Sequence, residues 1–270
     1  MVAGVCSQQT QMSRVLPLWE RWMAAFPTLE AAAAAETAEV LRVWARAGTR
    51  AGYPRRALAI REACRRCIEA HDGALPRERD ALLALPGVGP FTAAIVRCFG
   101  WADDAAAIDT NVVRVLGRLV HGDVQPARET SSRAIIDTAE RLLPRGEAGR
   151  WNAMLMDYGA QVCTPRPRCA DCVVRRLCAA RPRFEAGAVA EPMRAQPRFE
   201  GSARQWRGHI LRVLREAHGP VRVTALVRAL TGDEGDGADA STVRALLDVL
   251  CAEGMAWSRA GRCGLGDAPQ

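Results

Sequence analysis

Four cysteines fall within sixteen residues of this chain, in the segment CTPRPRCADCVVRRLC that runs from Cys163 to Cys178. Disulfides, a zinc ion and an iron–sulfur cluster each suit four sulfurs at that density. The rest of the chain has to choose between them. The opening MVAGVCSQQTQ lacks a basic stretch followed by a long apolar run, so it does not read as an export signal. No run of 18 apolar residues occurs, so no membrane span is expected. A cytoplasmic chain keeps its thiols reduced, which makes disulfides the least favoured of the three.

At 270 residues the chain can build one large domain or two modest ones, each with an adequate core. Of 37 basic residues every one is arginine, and the net charge is +7. Without lysine the protein cannot form a lysine Schiff base. An arginine-rich basic chain suits a polyanionic partner.

Apolar residues recur at helical spacing through residues 1–180. Met12, Val15, Leu16, Trp19, Trp22 and Met23 mark one face, and similar faces occur over 54–70, 109–120, 129–143 and 148–159. Sustained alternation is missing, so this part is expected to be all-α. Residues 181–201, rich in Pro, Gly and Ala, read as a linker. Beyond it, 204–217, 222–231 and 241–253 read as three short helices, and MAWSRAGRCGL as a hairpin. That order predicts a small winged-helix-like domain over 202–270.

ALLALPGVGPFTAAIVRCF is the second informative stretch. Leu82, Leu83 and Leu85 end one helix, and Phe91, Ala94, Ile95 and Phe99 are expected to face inward on the next. Between them Gly87, Val88 and Gly89 make a turn too tight for large side chains, with both glycines free to take positive φ. Backbone N–H groups at such a turn suit a phosphate. A plain helix–turn–helix corner would need the same glycines. Twenty positions after Gly89, Asp109 opens the helix IDTNVVRV. An Asp there can simply cap the helix by accepting from Asn111 or Val112.

Taken together, SQQTQ, GYPRRA, LPGVGPFTA, IDTNVVRV, MDYGAQVC and the cysteine loop resemble the helix-hairpin-helix DNA glycosylases of base-excision repair, and within them the MutY-type adenine DNA glycosylases. The resemblance runs from about Val5 to Cys178. It implies a helix-hairpin-helix glycosylase domain over 1–180, with Cys163, Cys169, Cys172 and Cys178 as ligands of a [4Fe-4S] cluster. The first gap between these cysteines is one residue shorter than the family's, and zinc remains the chemical alternative. Arg166, Arg168, Arg175 and Arg176 would make the cluster loop a basic knob for the DNA backbone.

The implied activity is hydrolysis of the N-glycosidic bond of adenine mispaired with 8-oxoguanine or guanine. The partner is double-stranded DNA with the nucleotide flipped out, and the protein is expected to be a monomer associated with the nucleoid. The resemblance makes Asp109 the carboxylate that stabilises the sugar cation or activates the nucleophile. The family's acid, a Glu, falls at the position held here by Gly4, and the family's pattern includes a further helix upstream of residue 1. Gln8, Gln9 and Thr10 match the segment touching the estranged base; Tyr53 matches a wedge aromatic, with Ala51 where relatives carry Leu. Asn111 follows the catalytic Asp as in the family. Endonuclease III-like enzymes share the hairpin and cysteines but carry a strand-cutting Lys where this chain has Phe91, so a lysine-based lyase is excluded.

Gly4 leaves two alternatives open. One is a catalytically silent DNA-binding homologue; the other is a glycosylase of altered base choice, since some lesions depart without protonation. Cys64 and Cys67, in CRRC, have redox-motif spacing but lie mid-helix outside a βαβ context, so they read as packing thiols, as do Cys6, Cys98, Cys251 and Cys263.

Overall fold

A computed structural model describes residues 1–8, 10, 12–45, 53–191, 198–231 and 239–269. Its elements in chain order are α1 (Val2–Ser7), α2 (Met12–Ala25), α3 (Leu29–Ala34), α4 (Thr37–Trp44), α5 (Arg55–Ala70), α6 (Arg79–Leu83), α7 (Pro90–Ile95), α8 (Thr110–Leu116), α9 (Pro126–Glu129), α10 (Ser132–Leu142), α11 (Ala148–Gln161), α12 (Arg181–Glu185), α13 (Ala203–Glu216), β1 (Val221–Arg222), α14 (Val223–Thr231), α15 (Ala240–Ala252), β2 (Ala256–Arg259) and β3 (Arg262–Leu265). Among the described residues no strand precedes β1, as the absence of alternation led one to expect. Among the described residues no helix is long and apolar enough to cross a membrane.

Contacts divide the chain into two compact units. One holds Met1, Pro76–Ala84 and Val88–Ala195; the other holds Val2–Leu75, Leu85–Gly87 and Gln196–Gln270.

In the first unit α8 packs along α11, burying Val112, Val115 and Leu116 against Leu155 and Ala139. Two helices end in wide π turns: Val96–Gly100 follows α7 and Gly117–His121 follows α8. These turns change which side chains point inward. Thr92, Ala93, Val96 and Cys98 are buried, whereas Phe99, expected inside, is 55% exposed, and Phe91, Ala94 and Ile95 are only half-buried. Gly117 begins the second π turn because nothing larger fits. A Cβ there would stand 2.2 Å from the Cβ of Pro126, which opens α9. Part of the stretch read as a linker is α12, where Arg181 pairs with Glu185 at 2.6 Å.

The second unit buries Val15, Leu18 and Trp22, the true inward stripe of α2, together with Phe26 just beyond its end; Leu16 and Trp19, expected inside, are partly exposed. Trp22 meets Phe26 and Trp44 edge to face, at 5.0 Å and 6.1 Å between ring centres. The three tail helices and the hairpin form at nearly the expected residues, and β1 joins the hairpin to give an antiparallel sheet of order β1-β3-β2. Its core, built on Ile210, Leu214, Leu226, Leu247 and Leu250, also takes in Leu41 from α4. Glu253 pairs with Arg207 and, at 3.4 Å, with Arg55 of α5.

Gly117→Ala is the sharpest test of this packing. The added methyl overlaps Pro126, and such overpacking costs about 1–3 kcal/mol. A urea melt of the variant should show a clearly lowered midpoint; an unchanged midpoint would mean that α9 does not press on the π turn.

Candidate functional site

The glycine turn ahead of α7 uses its two glycines differently. Gly87 takes φ +77°, and a Cβ on it would lie 2.9 Å from the Cβ of Ala59 in α5. Gly89 does not take the positive φ expected of it; at φ −94° and ψ −179° it is the extended N-cap of α7. Its lack of a side chain serves access instead, since nothing lies within 4 Å of where a Cβ would be. Pro90 then opens the helix at a position that needs no N–H, and Val88 is buried and anchors the turn. Gln8 donates from its side-chain amide to the Gly87 carbonyl at 3.2 Å.

Asp109 is the N-cap of α8. One carboxylate oxygen accepts from the Val112 N–H at 2.8 Å and the other from the Asn111 side-chain amide at 2.8 Å. The capping role thus holds, and Asn111 adds to it. A carboxylate has about four lone-pair sites, so these two bonds leave acceptor capacity on both oxygens. The segment leading to Asp109 is fixed by buried Asn152 of α11, which donates to the Ala105 carbonyl at 2.8 Å and accepts from the Ala107 N–H at 3.1 Å.

Arg114, one turn along α8, extends this network. Its guanidinium donates to the Asn111 side-chain oxygen at 2.6 Å, to the Gly159 carbonyl at 2.7 Å and to the Cys163 carbonyl at 2.6 Å. That reach depends on Gly159, where a Cβ would stand 2.7 Å from the Cβ of Asn111. The conformation of Asp109 is therefore tied, through Asn111 and Arg114, to the first cysteine.

Arg118 lies one further turn along and is only 2% exposed. It donates to the carbonyls of Val124 (3.1 Å), Thr164 (2.6 Å) and Pro165 (3.1 Å), and to the Cys163 sulfur at 3.6 Å. The Phe184 ring of α12 stacks 4.9 Å from its guanidinium. Its backbone carbonyl accepts from the Cys178 thiol at 3.6 Å and from the Ala180 N–H at 3.0 Å. Tyr158 donates to the Cys172 sulfur at 3.0 Å.

The four cysteines share one electrostatic neighbourhood. Burial raises the Cys163 thiol, and Arg118 pulls it back down. Cys169 is raised first by burial and then by the other three sulfurs. Burial and the Cys172 contact push the Tyr158 hydroxyl up to about 12. Among the described residues no three His, Cys, Asp or Glu side chains stand in the geometry of a metal site. The buried Arg118 guanidinium meets the Cys163 sulfur at 3.6 Å and its charge also favours a thiolate at Cys169, and thiolates are the ligands that an iron–sulfur centre or zinc takes.

Gly4 is buried within α1, and its carbonyl accepts from the Ser7 hydroxyl at 2.9 Å. Thr10 donates to the Gln8 carbonyl at 3.2 Å and accepts from Arg56 at 3.4 Å. Tyr53 takes φ +62°, a left-handed conformation that a bulky residue adopts only under constraint. Its ring is 46% exposed, with the Arg56 guanidinium 4.5 Å from its centre. Gln9 and Ala51 lie outside the described residues. Phe91 lines a cavity of about 610 Å³ with Ile108, Val113 and Ile135. Cys64 and Cys67 are buried in mid-α5, as packing thiols should be.

Sequence reasoning missed Arg114 and Arg118. In a chain whose basic residues are all arginine, neither stands out by type. The available signal was position, because Arg118 follows Val115 and Leu116 onto the buried side of its helix.

Residues 2–141 match the model of the HhH-GPD superfamily of base excision DNA repair proteins. The adenine DNA glycosylase of Mycolicibacterium smegmatis is 42% identical over 223 residues, 82% of this chain and 73% of that protein. That of Mycobacterium tuberculosis is 38% identical over 222 residues, 82% and 71% of the two chains. Among solved structures, a thermostable thymine-DNA glycosylase aligns with TM-score 0.60 at 29% identity, covering 67% of this chain and 82% of its own. A trapped covalent intermediate of endonuclease III with DNA aligns with TM-score 0.59 at 27% identity, covering 68% and 84%. The chain belongs to the HhH-GPD superfamily of base excision DNA repair proteins and, within it, to the adenine DNA glycosylases.

The Arg114 network makes a prediction about stability. Arg114→Met strands two carbonyls and the Asn111 amide oxygen, and an unmet buried partner costs about 1–3 kcal/mol. The variant should lose about 2–4 kcal/mol in urea melts, whereas Arg133→Met, at an exposed i,i+4 pair, should lose less than about 1 kcal/mol. Equal losses would contradict the network's role.

Proposed function

We propose that this protein is a monofunctional DNA glycosylase that hydrolyses the N-glycosidic bond of adenine mispaired with 8-oxoguanine or guanine in duplex DNA. The observation that carries the reading is Asp109, a carboxylate fixed by Val112 and Asn111 at the start of α8 with acceptor capacity to spare.

In this reading the flipped nucleotide loses its base as positive charge develops on the sugar. Asp109 stabilises that charge and orients or deprotonates the water whose oxygen bonds to C1′ as the C1′–N bond breaks. The electron pair of that bond leaves with adenine, which must gain a proton. With Gly4 at the acid position the chain supplies one carboxyl group of the usual two. Absence of the general acid typically costs about 10²–10⁴ in rate. Phe91 and the lack of any lysine exclude strand cleavage through a lysine imine.

Gln8, Gln9 and Thr10 would touch the estranged base, Tyr53 would wedge the stack, and Gly87, Val88 and Gly89 would present amides to a phosphate. Cys163, Cys169, Cys172 and Cys178 would hold a [4Fe-4S] cluster whose service is structural, fixing the arginine-bearing loop against the DNA backbone. We read residues 202–270 as a winged-helix-like domain and the protein as a nucleoid-associated monomer.

Single-turnover excision of adenine opposite 8-oxoguanine tests the reading. The unaltered protein should excise slowly, Gly4→Glu should raise the rate by about 10² or more, and Asp109→Asn should abolish excision in both backgrounds, all without strand cleavage. Activity surviving in Asp109→Asn would remove Asp109 from the mechanism. Tight binding with no excision, even by Gly4→Glu, would favour a silent DNA-binding homologue. The hairpin is tested separately with Gly89→Asp, where an added side chain meets nothing within 4 Å; DNA affinity should fall alike for all sequences while the fold is kept.

A further inference from the structure

We propose that the tail sheet is a second phosphate-binding surface, on which Arg222, Arg262 and Arg259 form a cross-strand ladder that grips the backbone of the DNA substrate. The inference rests on the reading above for its choice of DNA as partner.

The register puts the three arginines in one row. Arg222 of β1 lies directly opposite Arg262 of β3, and Arg262 lies directly opposite Arg259 of β2. Residues directly opposite one another in an antiparallel sheet share a face, with Cβ atoms about 4.5–5.5 Å apart. The opposite face is the buried one, carrying Ala256, Cys263 and Leu265. All three arginines are exposed. Among the described residues no carboxylate forms an ion pair with any of them. Like charges directly opposite each other destabilise a sheet, so the row works against folding unless something anionic covers it.

Protection of sheet edges against aggregation would explain arginines on β1 and β2, which are the edge strands. It does not explain Arg262, which sits on the central strand between two like charges.

The platform beneath the row is rigid. The hairpin closes through Ala260 and Gly261, at φ +48° and +73°, the signs a tight two-residue turn requires. The Gly261 carbonyl accepts from the Val223 N–H at 3.0 Å. One pair further in on the same face, Trp257 covers Gly264 so closely that a Cβ there would stand 2.6 Å from the indole nitrogen. At the hairpin's far end Asp267 accepts from the Thr37 hydroxyl of α4 at 2.6 Å. Three strands about 4.8 Å apart spread the guanidiniums over about 10 Å. Along one DNA strand the charges rise about 3.4 Å each, so the row matches a run of about three phosphates. Arginine forks bind phosphate oxygens in pairs.

The test is a salt titration of full-length protein on a fluorescent 30-base-pair duplex, with and without an adenine–8-oxoguanine pair. Arg222→Gln/Arg259→Gln/Arg262→Gln should bind both duplexes at least about tenfold more weakly and lower the salt slope by about 2–3, since each phosphate no longer neutralised takes about 0.9 from it. Arg262→Gln alone should lower it by about 0.9. A control with the same net charge, Arg133→Gln/Arg141→Gln/Arg212→Gln, should stay close to the unaltered slope. The ladder triple should also melt no lower than the unaltered protein, since it relieves repulsion. An unchanged slope in the ladder triple, or an equal fall in the control, would overturn the proposal and leave the row as edge protection or a protein-docking surface. Excision by the unaltered protein is measured in parallel. Failure of excision with the slope effect intact rejects the glycosylase reading and keeps the ladder; the reverse pattern rejects the ladder alone.

Discussion

A buried guanidinium organises the hairpin-bearing unit. Taking the charge of Arg118 out of water costs several kcal/mol, so its surroundings must return nearly all of the hydrogen bonds that water made to it. Three carbonyls and a cysteine sulfur do this, two of the carbonyls belonging to the loop between Cys163 and Cys169. The loop is thereby folded onto α8 by a charge that has nowhere else to go. The same charge suits what four thiolates would bring, because an anionic centre beside Arg118 compensates it further. Fold and cofactor chemistry are in this sense one problem.

Helix α8 carries the consequence to the site. Asp109, Arg114 and Arg118 succeed one another along it and the π turn that follows, the first as a cap and the other two as clamps on the cysteine loop. Close approach of α8 to α11 is what lets the clamps reach, and it depends on glycine at 159, where a methyl would collide with Asn111. A carboxylate that must meet a developing cation has to be held still. Here stillness comes from a chain of hydrogen bonds ending at Cys163, so a disturbance at the loop is expected to be felt at Asp109.

Much of this was legible in the sequence, for physical reasons that differ by residue. The longer helices of both units followed from apolar spacing, and the tail hairpin was read in the segment MAWSRAGRCGL after Gly254. Asp109 was visible because capping and chemistry ask for the same residue at the same place. The inward faces of α2 and α7 were misread. Periodicity cannot see that the helix after α7 widens into a π turn, nor that large apolar side chains such as Leu16 and Phe99 are left at the surface. Gly87 and Gly89 looked equivalent, yet one is glycine for its φ and the other for open space. Arg114 and Arg118 were hidden by composition, since arginine marks nothing in a chain that uses it for every basic position. Gly4 stood out only against a family pattern, and its place inside buried α1 says that a Glu restored there would enter a dehydrated setting, where a carboxylic acid more readily keeps its proton.

The proposed iron–sulfur cluster would depend on Arg118, whose hydrogen bonds hold the loop that follows Cys163. Metal content per chain, measured on anaerobically purified protein and on Arg118→Met, tests it most directly. The account predicts ~4 irons per unaltered chain, with broad absorption near about 400 nm, and loss of most of that iron in Arg118→Met while the tail still folds. Zinc in place of iron in the unaltered protein, or full iron retained by Arg118→Met, would contradict it.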